Sequence, residues 1–313
     1  MDAMFSHPRL NEFEALKSIL QNERILINPR LPKCVLHYEL FRYMSEIKKA
    51  KVLVDRNVVS YLVQLISGID VSSFDNSRNC FRLAAGLQSF LNAAHIESEP
   101  GYAFHEYLSQ HNLQTAEIDL SKFRAADNLD PNVYLDIALK KRNSIPLEIA
   151  PVCEPENLSD SRNIPKKLRS VEFNKVILKK AMVIRNQCGD DYRALLDLID
   201  WMHKSFLFSA PAIHFLSIYF SRRRISKMIK GPSSKAIENA AFDLGILHTL
   251  ADKAKNESDT LWLLATFDSA IIATADLLFV AGRDPDEYLQ FLKSEYKTMW
   301  GKRNDYGQNW SIN

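Results

Sequence analysis

The sequence is poor in glycine, with 9 among 313 residues, and its 4 cysteines are widely separated. No Cys-x-x-Cys or Cys/His spacing occurs, which argues against a zinc site and favours a reduced, cytoplasmic setting. The low glycine count and a hydrophobic share of 46% favour a compact, helix-rich globule over disorder. The chain length allows one large domain or two.

Several common functional signatures are also missing. There is no Gly-x-x-x-x-Gly-Lys-Ser/Thr or Gly-x-Gly-x-x-Gly loop, so nucleotide binding through those loops has no support. Gly-x-Ser-x-Gly is absent too, which leaves an esterase without its nucleophile motif. The formal net charge is only +2, and nucleic-acid binding would therefore need a local basic patch.

No segment predicts a signal peptide or a membrane span. The amino terminus lacks the basic start and apolar core of a signal peptide. The longest apolar stretch, Phe206–Phe220, is interrupted by Pro211 and His214. It is shorter than the roughly 20 residues that a spanning helix needs. We interpret it as a buried helix and expect no membrane partner.

Hydrophobic periodicity predicts helices for most of the chain. Residues 9–49 are expected to form an accessory helical layer. Val52–Val54 is the first predicted strand, and Leu261–Asp268 is read as a second buried strand that ends in an acid. A further helix is expected to start at Pro100 and Gly101. Other helices are predicted at residues 57–69, 77–96, 114–143, 171–187, 190–207, 211–229, 269–281 and 285–297.

Four acids stand out by their context. Asp55 and Asp268 end predicted strands, where open α/β sheets place their sites, whereas Glu106 and Asp243 lie on helices among apolar neighbours. Carboxylates that lie close together repel unless a cation joins them, so a cluster of these acids would imply Mg²⁺ or Mn²⁺. Such a site suits phosphodiester hydrolysis, because the metal lowers the pKa of a bound water and stabilises the attacking and leaving oxygens.

Some assignments have alternatives. Taken alone, Glu106 is more typical of a solvated helix stripe, because Glu is seldom buried unpaired, and Asp136 could take its place in the cluster. Glu238 is an additional acid, but it lies five residues before Asp243 and therefore on another face of the helix.

A run of cations follows the predicted helix at 211–229. These residues could contact phosphates, or they could lie solvated at a helix end, where the helix dipole favours cations. The candidate nucleic-acid-binding residues are Arg222, Arg223, Arg224, Lys227 and Lys230, with Lys235 close behind.

The four acidic segments together resemble the motifs of PIN-domain nucleases. Val52–Ser60 is similar to the first motif, a strand followed by Asp-x-Asn and an apolar helix. His105–Leu108 is similar to the second acid, and Asn239–Asp243 to the third. Leu263–Asp268, with its Thr-x-Asp ending, resembles the final strand. The order Asp, Glu, Asp, Asp matches the family.

This resemblance implies a Rossmann-like three-layer α/β/α sandwich around a short parallel sheet. It implies a metal-dependent endonuclease, most often a ribonuclease, with RNA as partner and single-stranded DNA as the alternative. Asn57 and Thr266 would support the site by holding a carboxylate or a water. The implied catalytic ligands of Mg²⁺ or Mn²⁺ are Asp55, Glu106, Asp243 and Asp268.

The chain is much longer than single-domain members of this family. We expect an N-terminal helical extension (1–50), a first part of a PIN-like core (51–150), a helical insertion (151–232), and a second part of the core with C-terminal helices (233–313). The insertion could house a partner or a regulatory switch, and the further candidate partners are a regulatory protein or a second copy of the chain. A role as a toxin or defence effector follows only by family association.

Two other functional classes stay open at this point. One is a non-catalytic module that binds nucleic acid or protein, with the acids serving as helix caps or strand ends. The other is an all-helical interaction scaffold, in which the short predicted strands are misread. Mn²⁺ affinity that is lost on mutation of Asp243 would favour the enzyme, and a lack of any sheet would favour the scaffold.

Overall fold

The structure, a computed structural model, describes residues 9–30, 49–75, 77–108, 112–146, 148, 164–221, 233–281 and 290. The chain forms two compact units, Met1–Leu168 with Thr249–Asp268, and Arg169–His248 with Ser269–Asn313. The predicted second part of the core, 233–313, is thus divided between the two units. The fold is helix-rich with one small mixed sheet, which agrees with an α/β class and excludes the all-helical scaffold.

The first unit contains the sheet. Its strands are β1 (Leu26–Ile27), β2 (Lys49–Val54), β3 (Glu97–Glu99) and β4 (Thr260–Ala265), in the order β1-β4-β2-β3. β2 pairs in parallel with β4 and with β3, whereas β1 pairs antiparallel with β4. The two central strands are almost continuously buried, as expected of apolar runs covered on both faces.

The two edge strands were not predicted. The helical prediction for 9–49 is wrong at Leu26–Ile27, which pair with Ala265 and Leu264, and at Lys49, where β2 begins. Glu97–Glu99 forms a strand just after a helix that was predicted to reach residue 96. Strands of two or three residues are too short to show a period, so pairing to a neighbouring strand decides their conformation.

The first unit also contains helices, and the predicted 114–143 helix is two helices. Asp130 Oδ1 accepts a hydrogen bond from Asn132 N, 2.8 Å away, and Pro131 suits the first position of the new helix. Residues 31–48 of the predicted helical layer lie outside the described residues. The described helices are α1 (Leu10–Glu23), α2 (Arg56–Ile66), α3 (Arg78–Ala93), α4 (Gly101–Leu108), α5 (Leu113–Ala126) and α6 (Pro131–Ala138).

Asp136, the alternative to Glu106 as a site acid, belongs to an ion-pair network between α1 and α6. Arg9 Nη2 lies 2.5 Å from Asp136 Oδ1 and 2.6 Å from Glu12 Oε2, and Lys141 also pairs with Glu12. Hydrogen bonds from Arg9 and Lys141 lower the pKa of Glu12 to about 2. These contacts give Asp136 a structural partner and do not support it as a replacement for Glu106.

This network should contribute a small, pH-dependent stability. A Glu12→Gln variant is expected to melt at most a few degrees below wild type at neutral pH. Because the pKa of Glu12 is lower in the folded state, the difference should shrink as the pH falls from about 4.5 towards about 2. Thermal melts followed by circular dichroism would measure it, with Glu23→Gln on the same helix as control. A difference that persists at the lowest pH would contradict the assignment.

The described part of the second unit is helical. Asn174 Nδ2 donates a hydrogen bond to Ala241 O across 3.0 Å and ties two of its helices together. The predicted helix at 285–297 and residues 222–232 lie outside the described residues. None of the described helices is long and apolar enough to cross a membrane. The elements are α7 (Ile164–Cys188), α8 (Asp191–Ser205), α9 (Ala210–Ser221), α10 (Ser234–Asn256) and α11 (Ser269–Ala281).

Candidate functional site

The parallel pairing of the two central strands brings Asp55 and Thr266 together. Val54 is the register partner of Ala265, so the residues that follow them emerge side by side. The Asp55 N–H donates to Ala265 O across 2.9 Å. Thr266 Oγ1 donates to Asp55 Oδ2 across 2.8 Å. Both residues are buried, so the carboxylate is held in a fixed place at the end of β2.

Asp55 is also the N-cap of α2. Its Oδ1 accepts a hydrogen bond from Arg56 N at 2.7 Å, which fixes the second carboxylate oxygen. Asn57 Nδ2 lies 3.5 Å from Asp55 Oδ2, which is long for a hydrogen bond. Asn57 therefore lies within reach of the carboxylate, but Thr266 and Arg56 N provide the stronger restraint.

Thr266 links Asp55 to a second acid. Its hydroxyl donates to Asp55 and accepts a hydrogen bond from the Asp268 N–H at 3.0 Å. The strand itself ends at Ala265, so Asp268 lies in the loop beyond it rather than at the end of the predicted Leu261–Asp268 strand. One threonine hydroxyl thus organises the segments that carry both acids.

Glu106 joins this group from α4, and it is buried, so the alternative of a solvated helix stripe is wrong. Its side chain is only 12% exposed, and its Oε1 lies 2.9 Å from Arg56 Nη1. A buried carboxylate needs such a partner, because an isolated one costs several kcal/mol. The residue that makes this possible is Arg56, the variable position of the Asp-x-Asn motif.

The surroundings disfavour a charged Asp55. Burial, followed by the negative charges of Glu106 and Asp268, raises its pKa to about 7, against the opposing effects of Thr266 and Arg56 N. A carboxyl group with this shift, among other acids, is a candidate functional group. An added positive charge would stabilise its ionised form.

The donor chemistry of the site suits a hard divalent cation. The side chains that converge on Asp55 offer oxygen, the donor that Mg²⁺ and Mn²⁺ prefer. Across the described residues, however, no group of three or more His, Cys, Asp or Glu side chains is arranged to hold a metal. Arg56 is the cation beside Glu106. Asp55 and Asp268 therefore stay candidate ligands, and Glu106 would join them only by exchanging its contact with Arg56.

The remaining predicted site residues lie elsewhere in the chain. Asp243 is on α10 in the part that belongs to the second unit, and its role as a ligand stays a prediction. Glu238 on the same helix pairs with Lys175 Nζ at 3.0 Å, so it already has a structural partner. Lys235 is exposed near the start of that helix. The basic run from Arg222 to Lys230 lies outside the described residues.

Comparison with protein-family models, curated proteins and solved structures finds no match to this chain.

Proposed function

We propose that the protein is a metal-dependent endonuclease that hydrolyses phosphodiester bonds in RNA or single-stranded DNA, on a PIN-like Rossmann-related sandwich. The observation that carries this proposal is the environment of Asp55. It is a buried strand-end carboxyl, held by Thr266, with a pKa raised to about 7 by burial and by the charges of Glu106 and Asp268. Carboxyl groups that lie this close together do not stabilise a fold, whereas a cation-binding site requires them.

The local arrangement of chain segments supports the same proposal. Two parallel central strands each lead into an acid at one edge of the sheet, which is where open α/β folds bind ligands. The first strand passes directly into a helix through Asp55, Arg56 and Asn57, in the order that the PIN-domain motif implies. The Thr-x-Asp ending of the last motif forms the hydrogen-bonded link between Asp55 and Asp268.

In this proposal the protein residues position the acids before substrate binds. A bound Mg²⁺ or Mn²⁺ would supply a water of lowered pKa and positive charge for the phosphate oxygens. Thr266 Oγ1 and the Arg56 N–H each restrain one oxygen of Asp55, so that carboxylate needs little reorganisation. Asp268 would share the cation with Asp55, and Asn57 would orient a water or a phosphate oxygen at the exposed side.

A second candidate is a non-catalytic binding module. The ion pair between Arg56 and Glu106 favours it, because one acid of the group already has a protein cation as partner. In that case Asp55 would act as the cap of α2, and the acids would have no shared ligand.

Cleavage with and without metal tests the first candidate. Purified protein should cut RNA or single-stranded DNA oligonucleotides with Mn²⁺ and should lose that activity in a chelator. An Asp268→Asn variant is expected to lower the rate by at least about tenfold, because even a residue that only supports a metal ligand costs 10–100-fold when it is changed. Product yield on denaturing gels measures the rate, and titration calorimetry measures Mn²⁺ affinity.

Asp259→Asn is a matched control. Asp259 is exposed in the turn just before β4, whereas Asp268 follows the other end of the same strand, so this change should leave cleavage and Mn²⁺ affinity unaltered. Unchanged cleavage by both Asp55→Asn and Asp268→Asn would reject the nuclease. A lack of both cleavage and Mn²⁺ affinity in the wild type would favour the binding module.

A further inference from the structure

A cavity of about 270 Å³ opens beside the candidate site, along one face of α2. Asn57, Ser60, Tyr61 and Gln64 line it from that helix, at the spacing of residues that share a helix face. Asn57 is the member nearest the acids, with its amide nitrogen 3.5 Å from Asp55 Oδ2. The cavity therefore begins next to the carboxylate and extends about 10 Å along the helix, at 1.5 Å per residue.

Aromatic rings form much of its wall. Tyr61 meets Phe81 edge to face with ring centroids 4.8 Å apart, and Phe74 lies 5.3 Å from Phe81. Phe74 is 38% exposed, so part of its ring remains open to a ligand. Tyr61 also contacts Phe267 at 5.8 Å, and Phe267 is the residue between Thr266 and Asp268. The aromatic wall is therefore continuous with the segment that carries the second acid.

Among the described residues that line the cavity, none has a charged side chain. Asn57, Ser60, Gln64 and Ser77 supply amide and hydroxyl groups. Gln64 Nε2 donates to Ser60 O and Ser60 Oγ at 3.1 and 3.2 Å, which directs its amide. Such a lining suits a neutral planar ligand with a hydrogen-bonding edge, and it would leave a phosphate or carboxylate without a counter-charge.

A nucleobase has these properties, because it has two apolar faces and a polar edge. The volume is slightly below the roughly 300–1,000 Å³ of sites for drug-sized ligands, which fits one base with part of its sugar rather than a stacked pair. Aromatic side chains that stack unpaired bases are the usual way in which proteins bind single strands. The distance along the helix lets the base lie in the cavity while its own backbone reaches the acids.

We propose that this cavity is a subsite for one unpaired nucleobase of a single-stranded nucleic acid whose adjacent phosphate lies at Asp55. The inference deepens the proposed nuclease function and rests on it. Since the base must leave its stack to enter, duplexes would be poor ligands. Recognition would use the base and would not require the 2′-hydroxyl, so RNA and DNA single strands would both bind.

Binding without cleavage tests the subsite separately from the enzyme. Fluorescence anisotropy of a labelled short single-stranded oligonucleotide, measured in a chelator, gives the affinity of each variant. Phe74→Ala should weaken binding at least about fivefold, the lower end of the loss when one stacked base loses its aromatic partner. Ser60→Leu, which fills the cavity from α2, should weaken it to a similar degree. Melting curves should show that both variants remain folded.

An oligonucleotide series with one abasic position at a time identifies the base that enters. At one position, loss of the base should weaken wild-type binding about as much as Phe74→Ala does. When Phe74→Ala and that abasic oligonucleotide are combined, the affinity should fall no further than with either change alone. Phe173→Ala is the control, because Phe173 is similarly exposed, at 44%, but belongs to the second unit. It should bind every oligonucleotide as wild type does.

Three outcomes would overturn the subsite. In the first, Phe74→Ala and Ser60→Leu both bind the oligonucleotide within twofold of wild type. In the second, the losses in binding free energy from the abasic position and from the variant add at every position. In the third, a duplex binds as tightly as the single strand. If metal-dependent cleavage persisted in any of these cases, the subsite alone would be rejected. If oligonucleotide binding followed the expected pattern but no metal supported cleavage, the nuclease would be rejected and a base-binding protein would remain.

Discussion

An Asp55→Asn variant should lose at least about a hundredfold in metal-dependent cleavage and yet unfold at a higher temperature than wild type at pH 8. The loss is expected to exceed that from disturbing a residue behind a metal ligand, which costs 10–100-fold. The asparagine keeps an oxygen that can accept from Arg56 N, but it removes the charge that an ion would require. The effect should therefore fall on Mn²⁺ affinity and on the rate constant together.

The gain in stability follows from the pKa of Asp55, which burial and the charges of Glu106 and Asp268 raise from 3.8 to about 7. Between these values the folded protein holds a proton that the unfolded chain has released, so the free energy of unfolding falls as the pH rises from about 4 to about 7. Above about pH 7 the penalty is complete and constant. A neutral amide avoids it, and we expect a gain on the order of 1–2 kcal/mol after the weakened hydrogen bond with Thr266 is counted.

Urea unfolding between about pH 4 and pH 8 in a chelator measures this difference. Wild type and variant should draw together as the pH falls towards about 4, because below the ordinary pKa of 3.8 Asp55 is protonated in both folded and unfolded wild-type protein. Asp127→Asn is a useful control for activity, because burial also raises the pKa of Asp127 but that residue contacts Gln88 rather than the site acids. It should keep full cleavage. An Asp55→Asn variant that is less stable at pH 8 would show that Asp55 serves mainly as a helix cap.

The part of the site that could be predicted from the sequence is the part that local patterns determine. Buried apolar runs that stop at an acid identify Asp55 and Asp268, and parallel pairing then places the residues after Val54 and Ala265 side by side. The small distance between Asp55 and Thr266 is thus a consequence of strand register. The three residues Thr266–Asp268 were nevertheless predicted as strand, because the loop in which the Asp268 N–H donates to Thr266 Oγ1 has no sequence period of its own.

Features that depend on distant segments could not be predicted. Glu106 was weighed as a surface acid because its partner, Arg56, is fifty positions away, and no local pattern joins the two. Leu26 and Ile27 pair with residues more than two hundred positions later, so their extended conformation is a tertiary effect. The aromatic cavity likewise draws its wall from two helices, α2 and α3, and from the separate segment that carries Phe74.

Substitution of Arg56 should have opposite effects on two measurable quantities. An Arg56→Gln variant is expected to bind Mn²⁺ roughly tenfold more tightly, because a positive charge a few ångströms from the acids repels a cation even at a high effective dielectric constant. The same change leaves Glu106, 12% exposed, without this ion pair. In a chelator the variant should therefore lose about 1–2 kcal/mol of unfolding free energy.

Arg56→Lys is the matched control for this pair of measurements. It retains the positive charge but loses the guanidinium geometry that meets Glu106 Oε1. We expect it to bind Mn²⁺ as wild type does and to show a smaller loss of stability than Arg56→Gln. Isothermal titration with Mn²⁺ and urea unfolding in a chelator provide both quantities for the three proteins.

The two candidate functions predict different Mn²⁺ affinities for the Arg56→Gln variant. If the acids form a cation site, the positive charge of Arg56 partly neutralises them in the metal-free protein. Removal of Arg56 must then strengthen the binding of the metal ion. If the acids are structural, removal of Arg56 destabilises the first unit and creates no affinity, because Asp55 then lowers its charge by taking up a proton instead. Unchanged Mn²⁺ affinity in Arg56→Gln, together with the stability loss, would therefore assign Glu106 and Arg56 to the fold and remove Glu106 from the proposed ligand set.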